Sequence, residues 1–397
     1  MNGGSNRKRF DEMIPITKPT LPPLEEYRLK LELIWKTGQI TNGALVREIE
    51  ALLEDYIGDT HCVAVANNTI GLILALKALD LKGAVILPSF TFFATAHSLI
   101  WNDLEPVFAE IDERTWNLSL ASVRGFLEKR DDICAIMPVH VFGNPCQVTE
   151  LEAMARTYGV KLVFDAAHAL GSESSGRKTG GFGDAEVFSL SPTKPVVAGE
   201  GGIVSTSNGH LADILRYARD YGNDGDYDPS FIGLNARLSE LHAALGLGSL
   251  GLLERGVKHR NEVASHYKQG LSKVPGIGFQ EVRADDRSTF KDFTILVEPD
   301  EFGMSRDTLS SWLVQQRIDT RKYYFPPVHR TKAYWERWGM KLDGQLPVTN
   351  RISGKTLSLP IWSHMDIEIA DRICEVIVSA FSKAEEINAK LEESAGH

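Results

Sequence analysis

The sequence predicts an α/β protein: a large domain whose mainly parallel mixed sheet lies between helices, followed by a smaller α+β domain. Three observations predict it. Short apolar runs that read as buried strands alternate with helical patterns from about residue 62 to 207, as in a sheet covered on both faces. From about residue 210 the pattern becomes long helices, and after 275 it resumes as a strand with helices. The length, 397 residues, suits two or three domains of about 150 residues, or one large domain with a smaller one. The expected division is an N-terminal arm over 1–22, a large domain over 23–255 and a small domain over 256–397, with the second boundary inside a helix.

The elements come in a regular order. Residues 1–22 are polar and Pro-rich, and an arm over the surface is expected. Helical periodicity over 23–37 stops at Gly38, and "ALVREIEALLEDYIG" (44–58) is a second amphipathic helix with Gly58 as its stop signal. "CVAVA" (62–66) is a strand, "NNT" a turn and "IGLILALKAL" a helix; "AVILPSF" (84–90) and "ATAHSLIW" repeat the scheme. "PVFAEID", "ICAIMPVHVFG" and "KLVFDAAHALG" continue it, and "EVFSLS" and "GGIVSTS" add two strands close in sequence. The stretch from "ARLSELHAALG" to "ASHYKQGL" reads as long helices; "FKDFTILVE" is a strand, and "SRDTLSSWLVQQRI" and "ADRICEVIVSAF" are helices.

Composition narrows the function classes. The net charge is -10, with no dense basic run beyond the N-terminal "RKR", which argues against nucleic acid as a partner. Cys62, Cys134, Cys146 and Cys374 form no CxxC pair, so neither a metal site nor a disulfide framework is expected, and the thiols suit a reducing compartment. No run of about 18 apolar residues is present, and the polar N-terminus has no apolar core of a signal peptide. The expected location is the cytoplasm, with no membrane partner.

Ligands of an open α/β sheet bind beyond the strand C-termini. "ANNT" (66–69) ends a strand and opens a helix; its free N–H groups suit a phosphate, or Asn and Thr simply cap the helix. Asp165 in "FDAAH" ends another strand, where an acid can pair with a cationic ligand nitrogen or cap the next helix. Lys194 in "SPTK" comes after a third strand, and a "GEGG" turn comes next. A desolvated lysine has a lowered pKa and becomes an amine nucleophile; a surface lysine is the plain alternative. Glu200 either holds the glycine turn or is a solvated charge. A phosphate site, an acid and a lysine at successive strand ends are together the parts needed to hold pyridoxal phosphate.

The order "TNG", "ANNTIGLILAL", "LPSFTFFATA", "PVHVFGNP", "FDAAHALG", "SLSPTK", "GEGG", "GLNARLSELHAALG" and "YYFPPVH" resembles the DegT/StrS-type sugar-nucleotide aminotransferases. The resemblance runs from about residue 14 to 380. It implies the type I fold of pyridoxal-phosphate transferases, that of aspartate aminotransferase. It also implies pyridoxal 5'-phosphate as cofactor, L-glutamate as the usual amino donor and a homodimer with shared active sites. Lys194 resembles the lysine that binds the cofactor aldehyde and shuttles the proton. Asp165 resembles the acid facing the ring nitrogen, and His168 stands where the family has Gln or His near the phenolic oxygen. Phe92 matches the aromatic that stacks on the ring; Asn68, Thr69 and Ser189 match phosphate contacts. Asn235 matches an asparagine that reaches the phosphate from the neighbouring subunit. Two departures stand out. Asn67-Asn68-Thr69 replaces a frequent Ser-Gly-Thr, where an Asn in left-handed geometry would keep the turn, and "SPTK" has Ser and Pro where relatives often carry His and Ala.

The implied reaction moves an amino group onto a nucleotide-linked keto-sugar. Family members that aminate carbon 4 tend to carry "TK", a few residues and "GEGG", as in "TKPVVAGEGG" here. The expected acceptor is therefore a 4-keto-6-deoxy sugar nucleotide, with dTDP as the expected nucleotide. Tyr324 and His329 in "KYYFPPVH" contact the sugar or the diphosphate, or only pack. The alternatives are a 3-keto-sugar or cyclitol (scyllo-inosose) aminotransferase of the same superfamily, and a regulatory or binding protein on the same fold. A sugar deoxygenase is disfavoured, because those relatives have histidine in place of the lysine.

Overall fold

The computed structural model describes residues 10–395 except Tyr227 and Asp343. Residues 1–9 of the expected arm and 396–397 of the expected small domain lie outside the described residues. The strands in chain order are β1 (His61–Val65), β2 (Ala84–Pro88), β3 (Glu105–Ala109), β4 (Ile133–Ile136) and β5 (Lys161–Asp165). A short hairpin, β6 (Glu173–Ser174) and β7 (Arg177–Lys178), precedes β8 (Ala185–Ser189) and β9 (Gly202–Thr206). The last three are β10 (Ile277–Phe279), β11 (Phe293–Val297) and β12 (Thr356–Leu359).

Seven strands form one sheet in the order β1-β9-β8-β5-β4-β2-β3. Its pairs from β8 to β3 are parallel, while β9 runs antiparallel between β1 and β8. Both faces are buried, so these strands are apolar throughout rather than alternating. In β1, Val63 and Val65 pack into one core while Cys62 and Ala64 pack into another, the period of two along a strand. The helices that flank it include α1 (Leu24–Thr37), α2 (Ala44–Ile57), α3 (Asn68–Ala78) and α4 (Phe93–Ile100). The start of α2 is capped from a distance, since the buried Glu240 carboxylate accepts from the N–H groups of Gly43, Leu45 and Val46 at 2.8–2.9 Å.

The second sheet is antiparallel, in the order β10-β11-β12. Its core joins Phe293 and Ile295 of β11 to Val263 and Tyr267 of the helix Leu253–Leu271 and to Ile373 and Ile377 of the helix Ile367–Ser382. We propose to divide the chain near residue 255, in the first turn of that first helix. The arm departs from a purely surface course. Phe10 is buried in the core of the small sheet, and Ile14 N donates to Arg317 O at 2.8 Å. The apolar side chains of "FDEMIPI" are what draw it in.

Candidate active site

The C-terminal ends of β1, β2, β5 and β8 open on one side of the large sheet, and a cavity of about 490 Å³ lies there. Its wall includes Asn68, Thr69, Phe92, Asp165, His168, Ser189, Lys194 and Tyr324. The fold thus brings together eight residues singled out from five separate stretches of sequence.

β1 leads into α3 through Asn67, whose side chain accepts from Ile70 N at 2.9 Å and caps the helix. Asn67 is extended, with φ -167° and ψ 170°, so the turn survives without left-handed geometry. The Asn68 amide donates to Val187 O of β8 at 2.8 Å, which turns its side chain to the strand. The glycine turn supplies the close approach. Gly202, the first residue of β9, pairs with Val65 and Ser189. A Cβ there would lie 2.6 Å from the Asn67 carbonyl carbon and 2.7 Å from Asn68 N. "GEGG" therefore ends in a glycine because the helix start rests on it. Glu200 is exposed at the cavity wall.

Asp165 is buried at the end of β5. It accepts from Thr95 Oγ1 at 2.7 Å and from Ala167 N at 3.2 Å, and Thr95 meets Thr91 through their hydroxyls at 2.8 Å. Burial raises the pKa of Asp165, while Thr95, Ala167 N–H and Lys194 pull it back. His168 is also buried, and its Nδ1 accepts from Phe142 N at 3.2 Å, which leaves Nε2–H as its donor. Burial, and then the charges of Lys194 and Lys291, hold it well below the usual range.

Lys194 lies just beyond β8 in a turn closed by its own N–H to Ser191 O at 3.0 Å. Burial of its amine, reinforced by Lys291, lowers its pKa to about 7, against the opposing pull of Asp292 and Asp165. Among the described residues no carboxylate lies within ion-pair distance of this amine. Phe92 begins α4 at the cavity wall, half exposed, its ring 3.9 Å from that of Phe93.

The segment just before β11 and the loop at Tyr323–Tyr324 supply the other wall. Tyr324 is buried and stacks on Phe142 with centroids 5.7 Å apart. Tyr323 and Lys291 join it at the cavity. Reading the sequence missed Lys291, Asp292, Thr91 and Thr95; "FKDF" passes for a strand start with surface charges. His329 is placed elsewhere. Its ring is fully buried, Nδ1 is 2.7 Å from Ser89 Oγ, and it is not among the residues lining the cavity. The 3-10 turn Val328–Arg330 directs it into the interior, so of the two candidate sugar contacts only Tyr324 faces the cavity. Asn235 is exposed, accepts from Arg237 at 3.2 Å, and does not line this cavity either.

Comparison with known proteins is specific. Residues 24–378 match the DegT/DnrJ/EryC1/StrS aminotransferase family. Two dTDP-4-amino-4,6-dideoxy-D-glucose transaminases are similar. The one from Shigella dysenteriae is 35% identical over 373 residues, 93% of this chain and 98% of that protein. The one from Escherichia coli is 32% identical over 370 residues, 93% and 99% of the two chains. Among solved structures, DesI in the presence of its TDP-sugar product superposes with a TM-score of 0.89 at 32% identity, covering 97% of each chain. Such neighbours share the type I fold of pyridoxal-phosphate transferases.

The residues present fit that cofactor. It carries an aldehyde, a phosphate and a pyridine nitrogen. The cavity offers an amine with no carboxylate at ion-pair distance among the described residues, the free N–H groups of a helix start, and a buried carboxylate held by a hydroxyl and a backbone amide. No helix among the described residues is long and apolar enough to cross a membrane. The chain belongs to the DegT/DnrJ/EryC1/StrS aminotransferase family and is an aminotransferase that works with pyridoxal phosphate.

Proposed function

We propose that the protein transfers an amino group from L-glutamate to the carbon-4 ketone of a dTDP-linked 4-keto-6-deoxy sugar, in the cytoplasm, as a homodimer. The observation that carries the reading is the lowered, carboxylate-free Lys194 amine in one cavity with Asp165 and the start of α3. The acceptor rests on "TKPVVAGEGG" and on the names of the relatives at 35% and 32% identity.

When bound, pyridoxal phosphate supplies an aldehyde and an electron-accepting ring. The backbone N–H groups of Asn68 and Thr69, with Ser189, hold the phosphate, as helix starts do. Asp165 faces the ring nitrogen, and a cation there favours its carboxylate. His168, neutral and donating through Nε2–H, orients the phenolic oxygen. Phe92 covers one ring face. Lys194, with a pKa of about 7, would shuttle the proton between a substrate carbon and the cofactor near neutral pH, where a general base is most effective. Tyr324 borders the sugar. Asn235, exposed and away from its own cavity, reaches the phosphate of the partner subunit; a twofold interface exchanges the same patch in both directions.

The test is a glutamate-dependent assay on a 4-keto sugar nucleotide, a 3-keto sugar nucleotide and scyllo-inosose under identical conditions, with the aminated position read by NMR. Preference for the first is expected; preference for either other substrate overturns the carbon-4 reading and leaves the aminotransferase intact. Shared sites are tested by mixing inactive Lys194→Ala with impaired Asn235→Ala subunits. Recovered activity is expected, and none in confirmed mixed dimers would place Asn235 within its own chain.

A further inference from the structure

A second lysine, this one buried, stands in the same cavity. Lys291 lines it and is 4% exposed. Its ammonium nitrogen donates to both carboxylate oxygens of Asp292, at 2.9 and 3.0 Å, and lies 5.3 Å from the centre of the Tyr323 ring. A buried ion pair is a poor device for stability, since well-packed apolar groups do as well or better. Its presence on a cavity wall asks for another reason.

The loop that carries it is anchored on every side. Arg260, itself 1% exposed, donates to the carbonyls of Phe290 and Lys291 at 3.1 and 3.3 Å. Thr289 Oγ1 donates to His168 O at 2.7 Å, and Lys291 N to Phe142 O at 3.0 Å. Asn261 holds Ser288 O at 2.9 Å. Lys291 is thus fixed relative to His168, as a preorganised binding group is.

Charge counting indicates what it binds. Two buried cations stand near one carboxylate, Asp292: Lys291 is bonded to it, and Arg260 feels its charge while donating to the neighbouring carbonyls. Asp165, the other buried carboxylate of the cavity, is held by Thr95 and Ala167 N–H instead, so among the described residues these two cations have one carboxylate between them, and a desolvated charge so placed is costly until a ligand supplies an anion. We propose that Lys291 seats the α-carboxylate of the amino donor, with Asp292 fixing its ammonium and Arg260 balancing Asp292. This rests on the proposed use of an amino-acid donor. The α-carboxylate is attached to the carbon that bears the amine, so it enters as deep as the reacting atoms do. The diphosphate of a sugar nucleotide is at the opposite side of the sugar ring from carbon 4, and the cofactor phosphate belongs at the start of α3.

The probe is glutarate, a dicarboxylate that cannot react, titrated calorimetrically into the cofactor-loaded protein. Lys291→Met is expected to weaken glutarate binding at least about tenfold, the scale of one charged hydrogen-bonded contact. KM for L-glutamate should rise in proportion, and KM for the sugar nucleotide should change less than about twofold. Lys291→Arg, which keeps the charge, should recover most of the affinity, and it decides the matter if the Met variant does not fold. Unchanged glutarate binding, a failure of the parent protein to bind glutarate, or a rise confined to the sugar KM each overturns the proposal. Glutarate binding that depends on Lys291 without transamination of any amino acid would sink the proposed function and leave the anion seat standing.

Discussion

The two walls of the cavity are built in different ways. The strand-end wall carries Asp165, His168, Ser189, Lys194 and the start of α3, each one to five residues beyond a strand of the large sheet or at its last residue. The opposite wall carries Lys291 and Tyr323–Tyr324, with Asp292 behind Lys291, held by contacts between segments far apart in sequence, such as Arg260 to Lys291 O and Thr289 to His168 O. The first wall holds what the reaction needs at the cofactor; the second holds the Lys291–Asp292 pair, proposed above as the seat of the donor carboxylate. Substitutions in the first should act on turnover and on cofactor retention, and substitutions in the second on substrate affinity.

The sharpest way to break this division is Lys194→Ala. Loss of the group that moves the proton should lower turnover by at least about 10²–10⁴-fold, while the protein still binds cofactor without a covalent link. Borohydride reduction of the parent protein, with subsequent peptide mapping, should label Lys194; label on Lys291 would exchange the roles of the two walls. Asp165→Asn comes next. It keeps the size and the Thr95 contact but removes the charge, and turnover should fall about a hundredfold, in the range for one preorganised electrostatic group. Near-normal turnover would reduce Asp165 to a cap of the next turn, through its 3.2 Å contact with Ala167 N.

Gly202→Ala tests the backbone of the first wall without touching a reacting group. Its Cβ would overlap the Asn67–Asn68 peptide at 2.6–2.7 Å, and backbone yields poorly. Overpacking of this kind costs about 1–3 kcal/mol, so cofactor should dissociate about 5- to 150-fold more readily if the whole cost falls on the bound state. Equal retention, measured by dialysis and absorbance, would mean that the helix start does not depend on the glycine.

The walls also differed in how far the sequence disclosed them. β5 is four residues of "KLVF" and then Asp165, and β8 runs through "AEVFS" to Ser189 just before Lys194. An apolar strand that stops at a polar residue marks the site edge by itself, because ligands bind beyond strand ends. Lys291 and Asp292 had no such signature. Two charges ahead of "FTILV" look solvated, and contacts from distant segments, such as the grip of Arg260, 31 residues earlier, bury them. Thr95 was hidden for a related reason, since a threonine in an apolar helix gives no sign that Asp165 lies 70 residues away in sequence and 2.7 Å away in space. His329 shows the converse. It stood beside Tyr324 in an aromatic-proline stretch without periodicity, and the turn after Pro327 sent it to Ser89 instead of the cavity.

The smallest expected effect ties the two walls together. In the cofactor-free protein, burial and the Lys291 charge hold Lys194 at about 7. The neutral amine is the nucleophile, so the rate of covalent cofactor uptake should rise with pH and level off above about 7. Lys291→Met removes a nearby cation. The protonated form of Lys194 is then less disfavoured, and the inflection should move up in pH, by less than about one unit if screening is appreciable. Asp292→Asn removes the carboxylate that opposes it, so its inflection should move down. Stopped-flow absorbance across pH 5–9, about two units either side, reads both shifts. Opposite displacements would show that the substrate wall tunes the amine of the other wall. A common inflection in all three proteins would mean that burial alone sets Lys194, and that the two walls are electrostatically independent.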